Sequence, residues 1–295
     1  MTENGYLLHR DLIESVPFSN LLTARLLHRR ISETLEDDLD DDLSVSVVVR
    51  SLNEANKLEQ LFEDISNQTF SKDVEVVIVD NESSDRTCQV AKYYGTEIVT
   101  LPRTDFTYPR SMNLGMEAAS NDLVFLTVAH VRLSNVYSLH AGVRHFSRDA
   151  DVAGVFGGAL PNEGASWVER WGATADSNLG LARPAQRIKK ASLGTLSATS
   201  AIIAKPAWQE LGRFDERYET GGEDTALAKL MLANGYAVVH EPALTVHHSH
   251  GLDLSDSVKQ LVHQLQTRRA PRRFDRQELL ERRPDLRAHG SIANP

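Results

Sequence analysis

The chain has 295 residues, a net charge of −9 and a single cysteine. A chain of this length can bury the core of one large domain. Its acidic net charge disfavours a general nucleic-acid binder. A single cysteine excludes an intramolecular disulfide. No apolar stretch approaches the about 20 residues of a membrane span, and the N-terminus lacks a secretory pattern. We therefore expect a cytoplasmic protein.

Residues 1–43 are predicted to be an extension that precedes the main domain. Apolar residues between positions 22 and 31 have helical spacing, and a run of acids over residues 36–42 follows. Acids in such a run repel one another, which is typical of a solvated linker rather than a metal site.

From residue 44 the pattern alternates between apolar strands and amphipathic helices. The predicted strands are residues 45–49, 74–80, 96–101 and 122–128, and the predicted helices are residues 56–67, 86–94 and 109–119. Near-continuous apolar strands predict a mostly parallel sheet covered on both faces, and right-handed crossovers make it doubly wound. Since ligands bind beyond the carboxyl ends of such strands, the residues that follow each strand are the candidate site.

The second half of the chain is less regular. Residues 154–190 are rich in small residues and predict no element. Further predicted elements are strands at 198–205, 237–241 and 244–250 and a helix at 224–234. These elements place the catalytic domain at residues 44–254.

Residues 255–295 form a separate C-terminal segment in this prediction. Residues 255–269 have one apolar face at helical spacing, and an Arg-rich tail follows. Such a tail could contact an anionic bilayer at the inner face of the membrane. The alternative is that the helix packs on the domain while the arginines are solvated or paired with nearby acids.

Two of the acids at the end of the second predicted strand and in the loop after it are candidate functional residues. Asp80 closes an apolar strand, where a charge must face solvent or a ligand, and its carboxylate could accept hydrogen bonds from a base or ribose. Asp85 is in a position to cap the helix predicted from residue 86. We interpret Asp80 as a ligand residue and leave Asp85 open between capping and binding.

The chain has neither a G-x-G-x-x-G motif after the first strand nor a G-x-x-x-x-G-K-[ST] motif. These absences remove the usual dinucleotide and P-loop fingerprints. A phosphate-bearing ligand would instead need a metal ion, Arg or Lys.

Several segments together resemble family-2 glycosyltransferases, which have the GT-A fold. They are VSVVVRSLNEAN (residues 45–56), VEVVIVDNESSDRT (74–87), FTYPRSMNLGMEAASNDLVFL (106–126), GRFDERYETGGEDTALAKLMLANGY (212–236) and ALTVHHSH (243–250). Their order and spacing match the family, and the third segment is most similar to the branch described as rhamnosyltransferase-like. The resemblance covers roughly residues 44–255.

The resemblance implies roles for individual positions. The implied nucleotide- and donor-binding residues are Arg50, Asn53, Glu54, Asp80, Arg110 and Asn113. Glu223 and Asp224 match the family's Glu-Asp pair, whose Asp serves as general base in an inverting transfer. Local sequence alone would make these two acids favourable residues at a helix N-terminus.

The metal motif departs from the family pattern. Residues 127–130 read Thr-Val-Ala-His, where the family carries Asp-x-Asp. Imidazole suits Mn²⁺ better than Mg²⁺, and His248 and His250 share one face of a predicted strand. We interpret His130, His248 and His250 as candidate ligands of a divalent metal, with ordinary hydrogen bonding as the alternative.

The resulting hypothesis is an inverting glycosyltransferase of polysaccharide biosynthesis. It would move a sugar from a nucleotide-diphosphate sugar to a hydroxyl of a glycan, lipid-linked or small-molecule acceptor, with no nucleic acid as partner. A nucleotidyltransferase is disfavoured, because RSLNEAN is not a Gly-rich basic loop. A non-catalytic nucleotide-sugar or glycan-binding relative is the main alternative, suggested by the missing carboxylates.

Overall fold

The computed structural model describes residues 43–70, 73–162, 165, 184–219 and 221–249. The predicted N-terminal extension, the C-terminal helix with its Arg-rich tail, and His250 lie outside the described residues. None of the helices within these ranges has the length and apolar composition needed to cross a membrane.

The core of the fold is one large sheet. Its strands are β1 (Val45–Ser51), β2 (Glu75–Asp80), β3 (Glu97–Thr100), β4 (Leu123–Val128), β6 (Val152–Phe156), β8 (Gln186–Arg187), β9 (Ala201–Ala204) and β10 (Ala237–His240). Their order across the eight-stranded sheet is β3-β2-β1-β4-β9-β6-β10-β8. Strand β9 runs antiparallel to β4 and β6, and β8 antiparallel to β10, whereas the remaining neighbours are parallel.

Six helices complete the described core: α1 (Ala55–Ser66), α2 (Thr87–Tyr93), α3 (Tyr108–Ala118), α4 (Ser138–Arg148), α5 (Lys205–Glu210) and α6 (Glu223–Ala233). Residues of α1, α2 and α4 pack with one face of the sheet, and residues of α3, α5 and α6 pack with the other. The side chains of β1 alternate between these two clusters, as the period-2 geometry of a strand requires. The expected doubly wound, mostly parallel α/β sheet is therefore confirmed.

A small second sheet joins segments that are far apart in sequence. Strands β5 (Val131–Leu133), β7 (Ala159–Leu160) and β11 (Val246–His248) form it in the order β5-β11-β7. In the antiparallel register of β5 and β11, His248 lies opposite Val131. This pairing brings His248 next to the segment that follows β4.

The second half contains elements that the sequence pattern does not predict. Strand β6 and helix α4 are two of these elements. The strand predicted over residues 244–250 is shorter in the structure, where it is β11. A 3-10 turn at Pro242–Leu244 shortens it, because proline fixes its backbone angle φ and lacks an N–H for strand pairing.

Helix α3 approaches the sheet closely at Gly115. A Cβ atom at this position would lie 2.2 Å from Val48 Cγ1 and 3.1 Å from Val79 Cγ2. Glycine is therefore required for the helix to lie this near β1 and β2. The same helix carries Arg110 and Asn113, so the close contact also positions candidate site residues.

We predict that Gly115→Ala destabilises the fold, although alanine is the better helix former by about 1 kcal/mol. Overpacking of a tight core typically costs about 1–3 kcal/mol, and the neighbours here are buried side chains of the sheet. Urea unfolding should show a lower midpoint for this variant.

Gly158→Ala is the control, because its Cβ would meet Thr245 only at 3.4 Å or more. A Gly115→Ala protein at least as stable as the parent would show that the helix can shift away from the sheet.

Candidate functional site

The carboxyl ends of three neighbouring strands form the edge where the site lies. Arg50 is the penultimate residue of β1 and Asp80 the last residue of β2, with Ser51 opposite Asp80 in the parallel register. The pairing of β1 with β4 continues past β4, since the Ala129 N–H donates to the Arg50 carbonyl at 3.0 Å. This extra bond brings His130 to the same edge.

The loops after β1 and β2 are joined through Asn53. This residue has a left-handed backbone, with φ of 55°, and its Oδ1 accepts hydrogen bonds from the N–H groups of Ser84 at 2.7 Å and Asp85 at 3.3 Å. The predicted nucleotide-binding position thus holds together the two loops that border the edge.

Asp85 caps helices in the structure, which is one of the two roles that the sequence leaves open for it. Its Oδ1 accepts from the Thr87 N–H at 2.9 Å in the first turn of α2. Its Oδ2 accepts from the Ala55 N–H at 3.2 Å at the start of α1. One carboxylate therefore satisfies donors at the N-termini of two helices.

Asp80 is buried at the carboxyl end of β2, with 2% of its surface exposed. Its Oδ2 accepts from the Ser83 N–H at 2.9 Å, whereas its Oδ1 is buried with no hydrogen-bond partner among the described residues. An unpaired buried acceptor is costly, and a ligand with an N–H or O–H group would relieve that cost. Cys88 lies beside it, and burial together with a hydrogen bond to Asp80 raises the pKa of the thiol, which disfavours the thiolate.

Arg50, a half-buried residue, places its guanidinium at this edge. Burial lowers its pKa, which nearby Tyr108, Glu223, Asp224 and Glu54 partly offset. The guanidinium carbon lies 5.0 Å from the centroid of the Tyr108 ring, within the range of a cation–π contact. Its Nε has no hydrogen-bond partner in the described part of the chain.

The Glu223–Asp224 pair begins helix α6 beside this guanidinium. Gly222 precedes the pair with φ of 103°, a backbone conformation that glycine adopts without strain. Glu223 is 5% exposed, and its Oε2 has no partner within the described ranges. Burial, and then the charge of Asp224, raise the pKa of Glu223 to about 8, and burial also raises the pKa of Asp224.

His130 lies between Glu54 and His248. Its Nδ1 is 2.7 Å from Glu54 Oε1 and its Nε2 is 2.9 Å from His248 Nε2, with the two rings stacked at 4.8 Å. Burial raises the pKa of Glu54, but hydrogen bonds and charge interactions with His130 and Lys57 outweigh burial and lower it below the ordinary value. If Nδ1 donates its proton to the Glu54 carboxylate, Nε2 is the ring nitrogen left to bind a metal.

The donor set at this point fits a transition metal better than Mg²⁺, because two imidazoles dominate it. Among the described residues, no group of three or more His, Cys, Asp or Glu side chains is arranged to hold a metal ion. His247 takes the other face of β11, where its Nδ1 is 3.4 Å from the Pro161 carbonyl. Among the described residues, the candidate metal ligands are therefore His130 and His248. Other ligand atoms would have to complete a metal site.

Asn113 and Arg110 lie on helix α3, but their side chains differ in surroundings. The Asn113 amide donates to the Phe214 carbonyl at 2.9 Å and to Glu216 Oε1 at 3.2 Å, and its Oδ1 accepts from the Phe214 N–H at 3.0 Å. Arg110 is exposed, 3.9 Å from Asp105. Asn113 therefore anchors the segment that leads to α6, and its predicted contact with the donor stays a prediction.

Sequence reasoning missed Tyr108 as a site residue. It forms the aromatic partner of Arg50 and stacks edge-on against Phe106 at 5.5 Å. The available signal was the aromatic pair in the FTYPR stretch, directly before Arg110. Trp208, predicted to belong to the core, is fully buried there, whereas Trp167 and Trp171 lie outside the described residues.

Comparison with solved structures places this architecture among GT-A glycosyltransferases. A mannosyltransferase from Pyrobaculum calidifontis, in complex with GDP-Man and Mn²⁺, is similar with a TM-score of 0.58 and 18% identity, over 95% of this chain and 80% of that one. The Staphylococcus aureus TarS fragment 1–349 with UDP-GlcNAc is similar with a TM-score of 0.53 and 16% identity, over 72% and 60% of the two chains. At these identities the likeness shows the fold, which confirms the expected GT-A architecture.

Two curated relatives are distant in sequence, and both are named as glycosyltransferases. An O-antigen chain rhamnosyltransferase, WbaN of Salmonella anatum, is 26% identical over 60% of this chain and 56% of its own length. A 4,4'-diaponeurosporenoate glycosyltransferase of Staphylococcus haemolyticus is 28% identical over 36% of this chain and 29% of its own length. The chain thus matches about half or less of the length of these two relatives.

The family assignment follows from a match over more than half of the chain. Residues 46–212 match the model of glycosyl transferase family 2, and they include β2, β4 and all but the first residue of β1, with Arg50, Asp80 and His130. Fold, motif order and family match agree, and the chain belongs to glycosyl transferase family 2.

Proposed function

We propose that the protein is an inverting glycosyltransferase that moves a sugar from a nucleotide-diphosphate sugar to an acceptor hydroxyl. The observation that carries the proposal is the convergence of the half-buried Arg50 with the Glu223–Asp224 pair at the carboxyl edge of a GT-A sheet. The rhamnosyltransferase relatives support a role in polysaccharide biosynthesis with a hexose or deoxyhexose donor.

Asp224 is the proposed general base. Its carboxylate takes the proton of the acceptor hydroxyl while that oxygen attacks the anomeric carbon. The bond from the anomeric carbon to the diphosphate oxygen breaks, and the nucleoside diphosphate leaves with the bonding electrons. Attack from the face opposite the leaving group inverts the anomeric centre.

The leaving diphosphate gains negative charge, so the site needs a cation close to it. Arg50 provides a fixed guanidinium at the same edge, and its buried Nε–H is available to an oxygen acceptor. The Tyr108 ring and the carboxylates around the guanidinium hold its plane in place before substrate binds.

A divalent cation bound by His130 and His248 would add positive charge beside the diphosphate. The donor set favours Mn²⁺ over Mg²⁺, and phosphate oxygens would complete the coordination. Glu54 fixes the His130 ring through Nδ1, a role often filled by carboxylates behind metal-binding histidines.

A non-catalytic nucleotide-sugar-binding protein is the second candidate. The observation that favours it is the Thr127–His130 segment, which lacks both carboxylates of the family's metal motif. An assay of sugar transfer separates the two candidates, because the second would bind the nucleotide sugar without transferring the sugar.

We predict that Asp224→Asn lowers transfer by about two to four orders of magnitude, the usual contribution of a general base. The donor used is the nucleotide sugar that most raises the melting temperature of the parent protein. Binding of the free nucleoside diphosphate should be kept, because the amide retains the size of the carboxylate.

Asp122→Asn is the matched control, since this exposed acid lies at the amino end of β4, on the opposite edge of the sheet. Near-normal turnover in Asp224→Asn would remove Asp224 from the role of base.

Asp80→Ala should weaken the binding of UDP or GDP itself. The unpaired Oδ1 of Asp80 is proposed to accept a hydrogen bond from the base or ribose, and a bond to a charged acceptor contributes about 1.5–3 kcal/mol. Isothermal titration calorimetry should therefore show a loss of about tenfold or more. Unchanged affinity would limit Asp80 to its contact with Ser83.

The rate of transfer should rise with pH and level off once Asp224 has lost its proton. Burial raises the pKa of Asp224 above the ordinary value of an aspartate, so the rise should come at a higher pH than the ionisation of an exposed aspartate. The base must be ionised to act, so turnover follows deprotonation.

Glu223→Gln should move this rise to lower pH, because it removes the neighbouring carboxylate that opposes ionisation of Asp224. The pH profile of kcat/KM is the measurement. A profile unchanged in Glu223→Gln would show that the pair does not control the rate.

His130→Ala should weaken the binding of Mn²⁺ measured in the presence of UDP or GDP. The control is His247→Ala, on the opposite face of the same β11 strand as His248. Equal Mn²⁺ affinity in both variants, or full transfer activity after EDTA treatment, would exclude a metal at this position.

A further inference from the structure

A cavity of about 480 Å³ opens at the carboxyl ends of β6 and β10, away from Asp80. Phe156 and His240, the last residues of these strands, contribute two rings that meet edge to face at 5.2 Å. The segment over residues 192–200 forms one wall, and Gly157, Gly158 and Thr245 form another. Its volume lies in the range of small-molecule sites.

Two hydrogen bonds connect the cavity wall to the proposed catalytic machinery. Thr225, next to Asp224, donates through its hydroxyl to the Ser192 carbonyl at 3.2 Å. Thr127, in β4 ahead of His130, donates to the Thr199 carbonyl at 2.9 Å. The cavity is therefore bounded by the segments that carry the proposed base and the metal-motif histidine.

The sheet order separates this cavity from the nucleotide side. Four strand spacings lie between β2, which ends in Asp80, and β6, which amounts to about 19 Å at about 4.8 Å per spacing. Arg50 and the Glu223–Asp224 pair lie between them, since Arg50 is on β1 and the Asp224 helix contacts the cavity wall. A nucleotide bound at Asp80 would thus point its sugar toward the cavity.

The described part of the cavity lining is uncharged. Its described residues include no Lys, Arg, Asp or Glu, and His240 is their one titratable side chain. Hydroxyl-bearing residues make up much of the wall: Ser192, Thr195, Ser197, Thr199, Ser200 and Thr245. Leu193 is 40% exposed at the rim.

This chemistry suits a sugar ring. Aromatic rings carry a negative face that attracts the C–H groups of a sugar, and a wall of hydroxyls and backbone groups can exchange hydrogen bonds with ring hydroxyls. A phosphate or carboxylate on the ligand would lose water without meeting a compensating cation from this wall.

We propose that this cavity binds the acceptor and that it selects an uncharged sugar unit over one that carries a phosphate or carboxylate. The proposal rests on the proposed function, because a bound acceptor has a role only if Asp224 activates its hydroxyl. The proposal narrows the class of acceptor from any compound with a hydroxyl group to a glycan with an uncharged terminal sugar.

The test measures binding of simple glycosides by saturation-transfer NMR on the full-length chain. The probes are methyl α-L-rhamnopyranoside and methyl α-D-mannopyranoside, both neutral, and methyl β-D-glucuronide, which is charged at neutral pH. We expect binding of a neutral glycoside and at least tenfold weaker binding of the glucuronide.

Leu193→Trp should reduce neutral glycoside binding at least fivefold by filling the rim. Tyr93→Trp is the control, because Tyr93 is 85% exposed at the end of α2 and does not line the cavity. Neither variant changes a residue in the proposed nucleotide or catalytic site, so UDP or GDP binding should stay the same in both.

Equal binding of neutral and charged probes, no detectable glycoside binding, or equal loss in the Leu193 and Tyr93 variants would each overturn the proposal. These results leave the proposed transfer function standing if UDP or GDP still binds. Failure of UDP and GDP to bind would count against the proposed function, while the glycoside result would still decide the chemistry of the cavity.

Discussion

The arrangement of the site depends on one cation, the guanidinium of Arg50, whose Nε is buried. Arginine cannot readily shed its proton, so a partly desolvated guanidinium at the end of β1 is stabilised by negative groups close by. Glu54 lies in the following loop, whereas Glu223 and Asp224 come from the far end of the domain. The charge of Arg50 thus attracts carboxylates from two distant parts of the chain.

The surroundings of Glu223 and Asp224 raise the proton affinity of both acids. Two carboxylates at adjacent positions, both removed from water, repel one another. Arg50 opposes this effect but does not cancel it, since the pKa of each acid stays above its ordinary value. A base built in this way is stronger than an exposed aspartate, which suits removal of a proton from a weakly acidic hydroxyl.

The first half of the fold could be predicted because its strands are long and apolar. Residues in β1, β2 and β4 are nearly all buried on both faces, and such runs stand out in the sequence. The second half could not, because its strands are short and gain their stability from tertiary partners. Strand β8 has two residues, and β9 runs against its neighbours.

The same distinction applies to the site. The strand end pointed to Asp80 as a candidate, whereas the Glu-Asp pair was a candidate only through the family resemblance, since local sequence alone made it an ordinary helix start. Hydrogen-bond partners were not visible. Only the folded loops reveal that Asp85 caps two helices, that Asn53 joins two loops and that Glu54 faces His130.

The hydrogen bonds of Asn113 to Phe214 and Glu216 span 101 and 103 positions along the chain. Helix α3 is itself fixed to β1 and β2 through Gly115. The segment leading to the proposed catalytic pair is therefore tied directly to the edge of the sheet that carries Asp80, independently of the chain that connects them. That connecting chain includes the cavity wall, so its length and composition could diverge while the proposed base keeps its place beside the proposed donor site. The choice of acceptor could then evolve separately from the proposed chemistry.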